Sequence, residues 1–404
     1  MSYPALIHPY TFPTRTEFVN IVSGEGATVT DSTGQTYIDG LASLWYVQAG
    51  HGNQVILDAI DRQMRTLTTF HTFDKFTNPA VDELAEKLVG LAPFDNARVF
   101  LGNSGSEAVE TAMKLARISH VRAGRPDRTL VISRDRGYHG VNYGGTTAQG
   151  LPLNKEGFGP LLPDVEQVPA DDLEALASMM AEHGERIAAV LVEPVQGAGG
   201  VFPPPDGYLE GLRRLCDQHG AYLIFDEVIT GFGRLGTWLA ADFFKVTPDM
   251  ITFAKGVSSG YLPVSGVMLS TKVTEPLEND DAWMLRHGYT YSGHPTTAAA
   301  AVANLDVLAD GVIDNGAKMG ARLAEGLKSL AADGTIADVR GVGAVYAAKL
   351  NDGQDAVRVR DLMMERGVII RPLGDAVAFC PPLVINGAQV DQMVDALAHA
   401  ANNY

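Results

Sequence analysis

Short apolar runs alternate with helical patterns through the middle of the chain, from about Val99 to Leu269. The runs are rich in β-branched residues, lack polar alternation and are bounded by Gly, Pro or Asp, as expected of strands buried on both faces. This alternation predicts an α/β fold with a large, mostly parallel, doubly wound sheet. Strands are predicted at residues 99–101, 129–133, 189–193, 222–226, 250–253 and 264–269, and helices at 106–122, 171–183 and 208–219.

The two ends of the chain have a different pattern from the middle. Residues 20–40 have the pattern of a hairpin with polar turns, and a long alanine-rich helix begins past Ala298. The string Val368-Ile369-Ile370 is a short strand candidate. We therefore predict a smaller α+β domain built from both termini. The predicted limits are 1–50 and 298–404 for the two parts of this small domain, and 51–297 for the large domain.

The charge balance argues against two classes of partner. Lysine and arginine number 31, and aspartate and glutamate number 48, which gives a net charge of −17. A phosphate backbone or an anionic membrane would require a basic face, so we expect neither nucleic acid nor a membrane as partner. No stretch reaches the ~18 consecutive apolar residues of a membrane span. The N-terminus also lacks the pattern of a signal peptide, so we expect a cytoplasmic protein.

The cysteine content predicts neither a disulfide framework nor a zinc site. Cys216 and Cys380 are far apart in the sequence, and no Cys-x-x-Cys spacing occurs. Two such residues are expected to pack as small apolar side chains. We therefore predict no metal.

Three features lie at the carboxyl ends of predicted strands, where open α/β sheets bind their ligands. The first is the string LGNSGSE at residues 101–107, in which a strand ends in a small polar loop that opens into a helix. Free backbone N–H groups and the positive helix end form an anion cradle suited to phosphate. An ordinary helix N-cap by Ser104 or Ser106 explains the same residues.

The other two features are single charged residues. Asp226 ends an apolar strand, where a carboxylate is poorly solvated and needs a cation or a hydrogen-bond donor. Lys255 follows the next strand, where burial lowers the pKa of a lysine and makes its amine nucleophilic toward carbonyls. Taken singly, Asp226 can be a buried acid satisfied by loop amides, and a lone lysine after a strand is usually a solvated end. The functional interpretation of Lys255 therefore requires the other two features to share its pocket.

Together, a phosphate cradle, an acid and an imine-forming lysine fit pyridoxal 5'-phosphate better than any other ligand. This cofactor needs a Schiff-base lysine and an acid at its pyridine nitrogen. Between about Tyr37 and Val384, the chain resembles the class III pyridoxal-phosphate-dependent aminotransferases. The strings that carry the resemblance are, in order, NSGSEAVETAMKLAR, GYHG, VEPVQGAGG, FDEVITGFGR, TFAKG and GYTYSGHP.

The resemblance implies a fold of the aspartate-aminotransferase type (fold type I) and a homodimer with shared active sites. Lys255 matches the lysine that holds the cofactor and shuttles a proton, and Asp226 matches the partner of the pyridine nitrogen. The other implied cofactor contacts are Gly105 and Ser106 at the phosphate, Tyr138 stacked on the ring, Val228 on the ring face, and Tyr289 and Thr290 reaching the phosphate of the other subunit.

A few residues resemble one group within the family, the amine:pyruvate or ω-transaminases. Glutamate- and ornithine-type members usually have a glutamate where this chain has Ala198. Trp45, in the string GLASLW, resembles a wall of the substrate pocket in that group. Arg371, in IRPLGD, matches an arginine that binds a substrate carboxylate. Phe73 is expected to add a wall from the neighbouring subunit.

The resemblance therefore implies a transaminase. Such an enzyme moves an amino group from an amine or ω-amino acid to an α-keto acid such as pyruvate, by a ping-pong mechanism through a Schiff base on Lys255. A decarboxylase, racemase or aminomutase on the same scaffold remains an alternative, as does a non-catalytic regulator or cofactor store. A nicotinamide-dependent dehydrogenase is disfavoured, because no dinucleotide fingerprint follows the first strand.

Overall fold

The computed structural model describes residues 4–404, and a seven-stranded sheet forms its centre. In spatial order the strands are β4 (Arg98–Gly102), β10 (Ser265–Leu269), β9 (Met250–Phe253), β8 (Tyr222–Asp226), β7 (Ile187–Val192), β5 (Leu130–Arg134) and β6 (Val165–Val168). Strand β10 pairs antiparallel with β4 and β9, and the other pairs are parallel. The predicted α/β fold with a large, mostly parallel sheet is confirmed.

The sequence pattern located the central strands better than the edge. The predicted strands at 222–226 and 250–253 have the observed limits, because every side chain in β8 and β9 is buried. Strand β6 was not predicted, since it lies at an edge of the sheet and carries the polar, partly exposed Glu166 and Gln167. A strand of this kind has no continuous apolar run to reveal it.

Helices cover both faces of the large sheet. On β8, Leu223 and Phe225 pack into one core, and Tyr222 and Ile224 pack into another on the opposite face. This alternation follows from the two-residue period of a strand. The helices of this part of the chain are α1 (Ala42–Trp45, a distorted turn), α2 (Gln54–Thr66), α3 (Pro79–Leu91), α4 (Gly105–Arg122), α5 (Tyr143–Ala148), α6 (Leu173–His183), α7 (Tyr208–His219), α8 (Ala240–Phe244), α9 (Thr271–Glu278) and α10 (Pro295–Val307).

Two smaller sheets contain the remaining strands. One has the order β1 (Ile21–Glu25), β2 (Thr28–Asp31), β3 (Thr36–Asp39) and β13 (Val368–Ile369), so it joins N-terminal strands to a C-terminal one. The other has the order β11 (Asp338–Val342), β12 (Val345–Lys349), β15 (Ala376–Phe379) and β14 (Arg371–Leu373). The accompanying helices are α11 (Ile313–Ala332), α12 (Ala356–Glu365) and α13 (Gly387–Asn402).

The alanine-rich helix is α10, which begins at Pro295 and therefore before the position predicted from the sequence. Its buried face belongs to the core of the large sheet, where it packs on α2 and α3. The limit predicted at residue 298 thus falls inside α10. The domain limits themselves stay a prediction.

The stretch Pro295–Ala332 is long and apolar enough to cross a membrane by length and composition alone. Half of its most apolar window is buried inside the protein. Its backbone also leaves the helical conformation at Asp310 and Gly311. The 13 residues of α10 therefore reach only about 20 Å, less than the ~30 Å of a bilayer core. These features are those of a core helix.

Two helical glycines provide a matched test of the packing between α11 and the turn before β12. A Cβ on Gly320 would lie 2.1 Å from the carbonyl oxygen of Gly343, whereas a Cβ on Gly90 in α3 would meet nothing within 4 Å. We expect Gly320→Ala to lower the free energy of unfolding by about 1–3 kcal/mol through overpacking. Gly90→Ala should raise it by up to about 1 kcal/mol, because alanine favours the helix.

Thermal unfolding of the two variants beside the wild type is the measurement. A midpoint for Gly320→Ala at or above that of Gly90→Ala would contradict the close approach of α11 to this turn.

Candidate active site

A cavity of about 400 Å³ opens at the carboxyl edge of the large sheet. It lies where β4, β5, β7, β8 and β9 end, as expected for a ligand site of an open α/β sheet. The structure brings nine of the twelve predicted site residues to its lining: Trp45, Gly105, Ser106, Tyr138, Ala198, Asp226, Val228, Lys255 and Arg371.

Lys255 is placed by the turn that follows β9. Its backbone has φ of +51°, in the left-handed region that non-glycine residues seldom adopt. Such strain is often found at functional sites. Burial lowers the pKa of the Lys255 ammonium, and the nearby Asp226 and Glu193 partly offset this effect. A lysine with a lowered pKa has a larger fraction of neutral, nucleophilic amine.

Asp226 is held in the same cavity by the pairing of β8 with β9. The register sets Asp226 opposite Thr252, three residues before the lysine. The Asp226 carboxylate is 4% exposed. It accepts hydrogen bonds from Thr252 Oγ1 at 3.1 Å and from the Val228 backbone N–H at 3.2 Å. His139 Nδ1 lies 2.8 Å from Asp226 Oδ2. The Asp226 carboxylate thus has three hydrogen-bond partners, and it also lines the cavity.

The anion cradle predicted at residues 101–107 forms at the N-terminus of α4. Ser104 caps this helix by accepting a hydrogen bond from the Glu107 N–H at 3.2 Å. The helix N-cap and the cradle therefore coexist, because the cap satisfies one first-turn N–H and leaves others free for an anion. Ser106 is not the cap; its Oγ accepts from the Val141 N–H at 2.9 Å.

Two glycines let the loops close around the cradle. A Cβ on Gly105 would lie 3.0 Å from Val228 Cγ1. A Cβ on Gly140, which has φ of +92°, would lie 2.5 Å from Ser106 Oγ. The absence of these two Cβ atoms therefore lets Val228 and the Gly140 loop lie close to the N-terminus of α4.

Sequence reasoning missed a second buried acid, Glu193, and its neighbours. Glu193 Oε1 accepts from the Tyr138 N–H at 2.8 Å, and Oε2 accepts from the Gly197 N–H at 2.9 Å. Burial raises the pKa of Glu193, and His139 opposes this effect. Glu193 therefore fixes the loop of Tyr138 relative to the loop of Ala198. Both Glu193 and His139 lie inside the strings that carry the family resemblance, which is the signal that could have found them.

The substrate side of the cavity contains Trp45, Ala198 and Arg371. Arg371 lies at the start of β14, and its guanidinium forms no hydrogen bond or ion pair with residues 4–404. Tyr10 also lines the cavity, and its hydroxyl is 3.5 Å from that of Tyr138. No pattern in the sequence indicated Tyr10, because the N-terminal segment has no periodicity that would place it over a sheet.

Phe73, Tyr289 and Thr290 lie outside the cavity of their own chain. Phe73 is 46% exposed, and a Cβ on Gly288 would lie 3.2 Å from Phe73 Cζ. The Tyr289 hydroxyl donates to the Glu107 carbonyl oxygen at 3.1 Å, and Thr290 is exposed. Their predicted roles toward another subunit stay predictions.

Comparisons with known proteins agree with the geometry. Residues 11–401 match the family model described as aminotransferase class-III. The chain is 38% identical to a β-alanine–pyruvate aminotransferase of Pseudomonas aeruginosa over 411 residues, which cover 95% of this chain and 91% of that protein. It is 37% identical to an omega-aminotransferase of Caulobacter vibrioides, over 89% of this chain and 88% of that protein.

Solved structures show the same likeness. An amine transaminase from an uncultivated Pseudomonas species, in its pyridoxal-phosphate-bound form, superposes with a TM-score of 0.94 at 36% identity. The match covers 100% of this chain and 99% of that one. A transaminase from the marine bacterium Virgibacillus gives a TM-score of 0.96 at 36% identity, over 99% and 97% of the two chains.

The residues of the cavity fit pyridoxal phosphate. The amine of Lys255 and the carboxylate of Asp226 share one cavity, and the N-terminus of α4 offers backbone N–H groups to a phosphate. Val228 lies so close to Gly105 that a side chain there would crowd the cavity. Among residues 4–404, no group of three or more His, Cys, Asp or Glu side chains could hold a metal ion.

The role of Asp226 can be tested by a change that keeps its shape. Asp226→Asn is expected to keep the bound cofactor, because its oxygen can still accept from Thr252. The variant lacks the charge that holds a proton on the pyridine nitrogen. Turnover should therefore fall about a hundredfold or more. Absorbance of the purified protein and steady-state kinetics measure the two properties.

Glu227→Gln is the matched control for this prediction. Glu227 follows Asp226 in the sequence and is also buried. Its carboxylate, however, accepts hydrogen bonds from the backbone N–H groups of Ala240 and Ala241, outside the cavity. Its replacement should lower the thermal midpoint and leave the turnover of the folded enzyme unchanged. Near-wild-type turnover in Asp226→Asn would show that another group holds the nitrogen.

Proposed function

Since the chain belongs to the class III aminotransferases, we propose that it moves an amino group from an amine or ω-amino acid to an α-keto acid such as pyruvate. The relatives named above include a β-alanine–pyruvate aminotransferase and an amine transaminase. Their names favour transamination over decarboxylation, racemisation or an aminomutase reaction on the same scaffold.

One cavity must serve both halves of a ping-pong reaction. When bound, pyridoxal phosphate withdraws electrons from the substrate carbon that loses its proton. Lys255 would hold the cofactor and take and return that proton, and Asp226 would hold a proton on the pyridine nitrogen. Tyr138 lines the same cavity and would stack on the ring. Burial raises the pKa of its phenol, so Tyr138 stays neutral.

The observation that supports an α-keto acid as acceptor is that the Arg371 guanidinium has no hydrogen-bond or ion-pair partner among residues 4–404. Arginine binds a carboxylate through two parallel hydrogen bonds. Ala198 lines the same cavity, so no acid at that position competes for the arginine. A carboxylate-free amine would leave a pocket arginine unpaired, which costs roughly 1–3 kcal/mol. We therefore propose that Arg371 turns inward for the keto acid and outward to solvent for the amine.

We further propose that the enzyme is a homodimer and that each subunit contributes to the cavity of the other. Phe73, Tyr289 and Thr290 carry this proposal, because all three lie outside their own cavity and on neighbouring segments. Exposed apolar side chains surround them: Phe70, Phe76 and Tyr291 are 44%, 42% and 67% exposed. A second copy of the chain would bury this surface, as expected for an exposed apolar patch.

Arg371→Ala tests the proposed acceptor. The half-reaction with pyruvate should slow about tenfold to a hundredfold, because a charge-assisted pair is lost. The half-reaction with 1-phenylethylamine should change far less. In the pyruvate half-reaction, the rate of Arg371→Lys should lie between those of Arg371→Ala and the wild type, since lysine keeps the charge without the planar fork. Stopped-flow absorbance follows each half-reaction separately, and equal losses in both would mean that Arg371 is structural.

Thr290→Val tests the shared site. The substitution keeps the shape of the side chain and removes one hydroxyl. If Thr290 binds the phosphate in the partner's cavity, cofactor dissociation should accelerate about tenfold. Thr247→Val is the matched control, because Thr247 is exposed at the amino end of β9, opposite the cavity. Dissociation is followed by absorbance after dilution, and an unchanged rate in Thr290→Val would contradict the proposal.

A further inference from the structure

A chain of four hydrogen bonds fastens the segment before Thr290 to helix α4. His287 Nδ1 lies 3.0 Å from Lys114 Nζ, and His287 Nε2 lies 2.9 Å from Thr111 Oγ1. Thr111 Oγ1 lies 3.2 Å from the Tyr289 hydroxyl. That hydroxyl is 3.1 Å from the carbonyl oxygen of Glu107. The segment therefore has two side chains, His287 and Tyr289, bound to one face of α4.

The Lys114 ammonium and the Glu107 carbonyl oxygen stand at the two ends of this series of hydrogen bonds, and they fix the direction of every bond in it. A Lys114 ammonium can only donate, so His287 Nδ1 must accept and Nε2 must carry the hydrogen. Thr111 then accepts from His287 and donates to Tyr289, and Tyr289 donates to the Glu107 carbonyl oxygen. A neutral His287 satisfies all four bonds. A protonated ring would point an N–H at the Lys114 ammonium and break the first of them.

Packing reinforces this geometry. The His287 ring stacks on Phe100 of β4, with ring centroids 5.1 Å apart. The Tyr289 ring packs edge-on against the His287 ring, with ring centroids 5.2 Å apart. Burial, and then the charge of Lys114, lower the pKa of His287 below its ordinary value. The other titratable groups at this network are Glu107 and Glu110 on α4 and Tyr289 on the segment itself.

The same network reaches the anion cradle of its own subunit through Glu107. The backbone carbonyl of Glu107 accepts from Tyr289. Its side-chain Oε2 accepts from the Asn103 N–H at 2.6 Å and from Asn103 Nδ2 at 3.1 Å. Asn103 is part of the cradle. One residue in the first turn of α4 thus contacts both the cradle and the segment that carries Thr290.

We propose that His287 is a positioning residue that holds Thr290 against the phosphate in the partner subunit's cavity. It acts through the hydrogen-bonded chain to α4, so the helix that forms one cradle also supports the segment that completes the other. This inference rests on the proposed shared site, in which Thr290 crosses to the partner. The mechanism above does not use His287, which lies outside the cavity.

Two substitutions separate the stacking of the His287 ring from the hydrogen bonds of its nitrogen atoms. His287→Phe keeps a ring to stack on Phe100 and removes both nitrogen atoms. His287→Gln keeps one N–H donor and one oxygen acceptor but does not titrate. We expect cofactor to dissociate from the His287→Phe holoenzyme about tenfold faster than from wild type, and from His287→Gln at close to the wild-type rate. His183, at the end of α6, provides the control variant His183→Phe.

A double-variant comparison tests whether His287 acts through Thr290. Since both changes remove the same contact to the phosphate, the double variant His287→Phe/Thr290→Val should lose cofactor no faster than Thr290→Val alone. A merely structural role would give effects that multiply. Additive free energies, or a rate for His287→Phe within twofold of wild type, would overturn the proposal.

The pH profile of dissociation supplies a readout that does not depend on activity. The neutral ring is present above the pKa of His287, which burial and the charge of Lys114 hold below the ordinary histidine value. Wild-type holoenzyme should therefore lose cofactor progressively faster as the pH falls through that lowered pKa. His287→Gln should lack this component. Identical profiles for the two proteins would overturn the role of the ring.

The dissociation rates of the two single variants distinguish failure of this inference from failure of the shared site. Faster cofactor dissociation in Thr290→Val with no change in His287→Phe would refute this inference alone. No change in either variant would refute the shared site as well.

Discussion

The pairing of β8 with β9 is the constraint on which the site depends. Their parallel register sets Asp226 opposite Thr252 and brings Lys255 to the same sheet edge three residues later. A buried carboxylate without donors would be costly, and here it is fixed by Thr252, Val228 and His139. The acid and the amine of the site are therefore held by buried strands rather than by mobile loops.

The surrounding loops are fixed relative to this pair by buried polar contacts and by missing side-chain atoms. Glu193 ties the loop of Tyr138 to that of Gly197. Gly105 and Gly140 permit approaches that a Cβ would block. These contacts hold the loops of Tyr138, Gly140 and Gly197 in place around Asp226 and Lys255.

The sequence predicted the parts of the molecule in which local pattern and tertiary position agree. Strands β8 and β9 were located within their observed limits, because both faces of each are buried. Lys255 and Asp226 follow from their positions at strand ends.

Glu193 and His139 were missed, because buried polar residues depend on partners that are 55 and 87 positions away in the chain. Tyr10 was missed because an irregular segment has no period. The roles predicted for Phe73, Tyr289 and Thr290 involve a second chain, which no pattern within one chain specifies.

The central claim is that Lys255 is the residue that binds pyridoxal phosphate covalently. Borohydride reduction of the purified enzyme, followed by peptide mapping, tests it directly. The account predicts a pyridoxyl label on Lys255, in the peptide that follows β9. Lys272 is the informative competitor, because its side chain is 44% exposed and lies at the opposite end of the sheet beside Asp249. A label on Lys272, or on any lysine other than Lys255, would contradict the account.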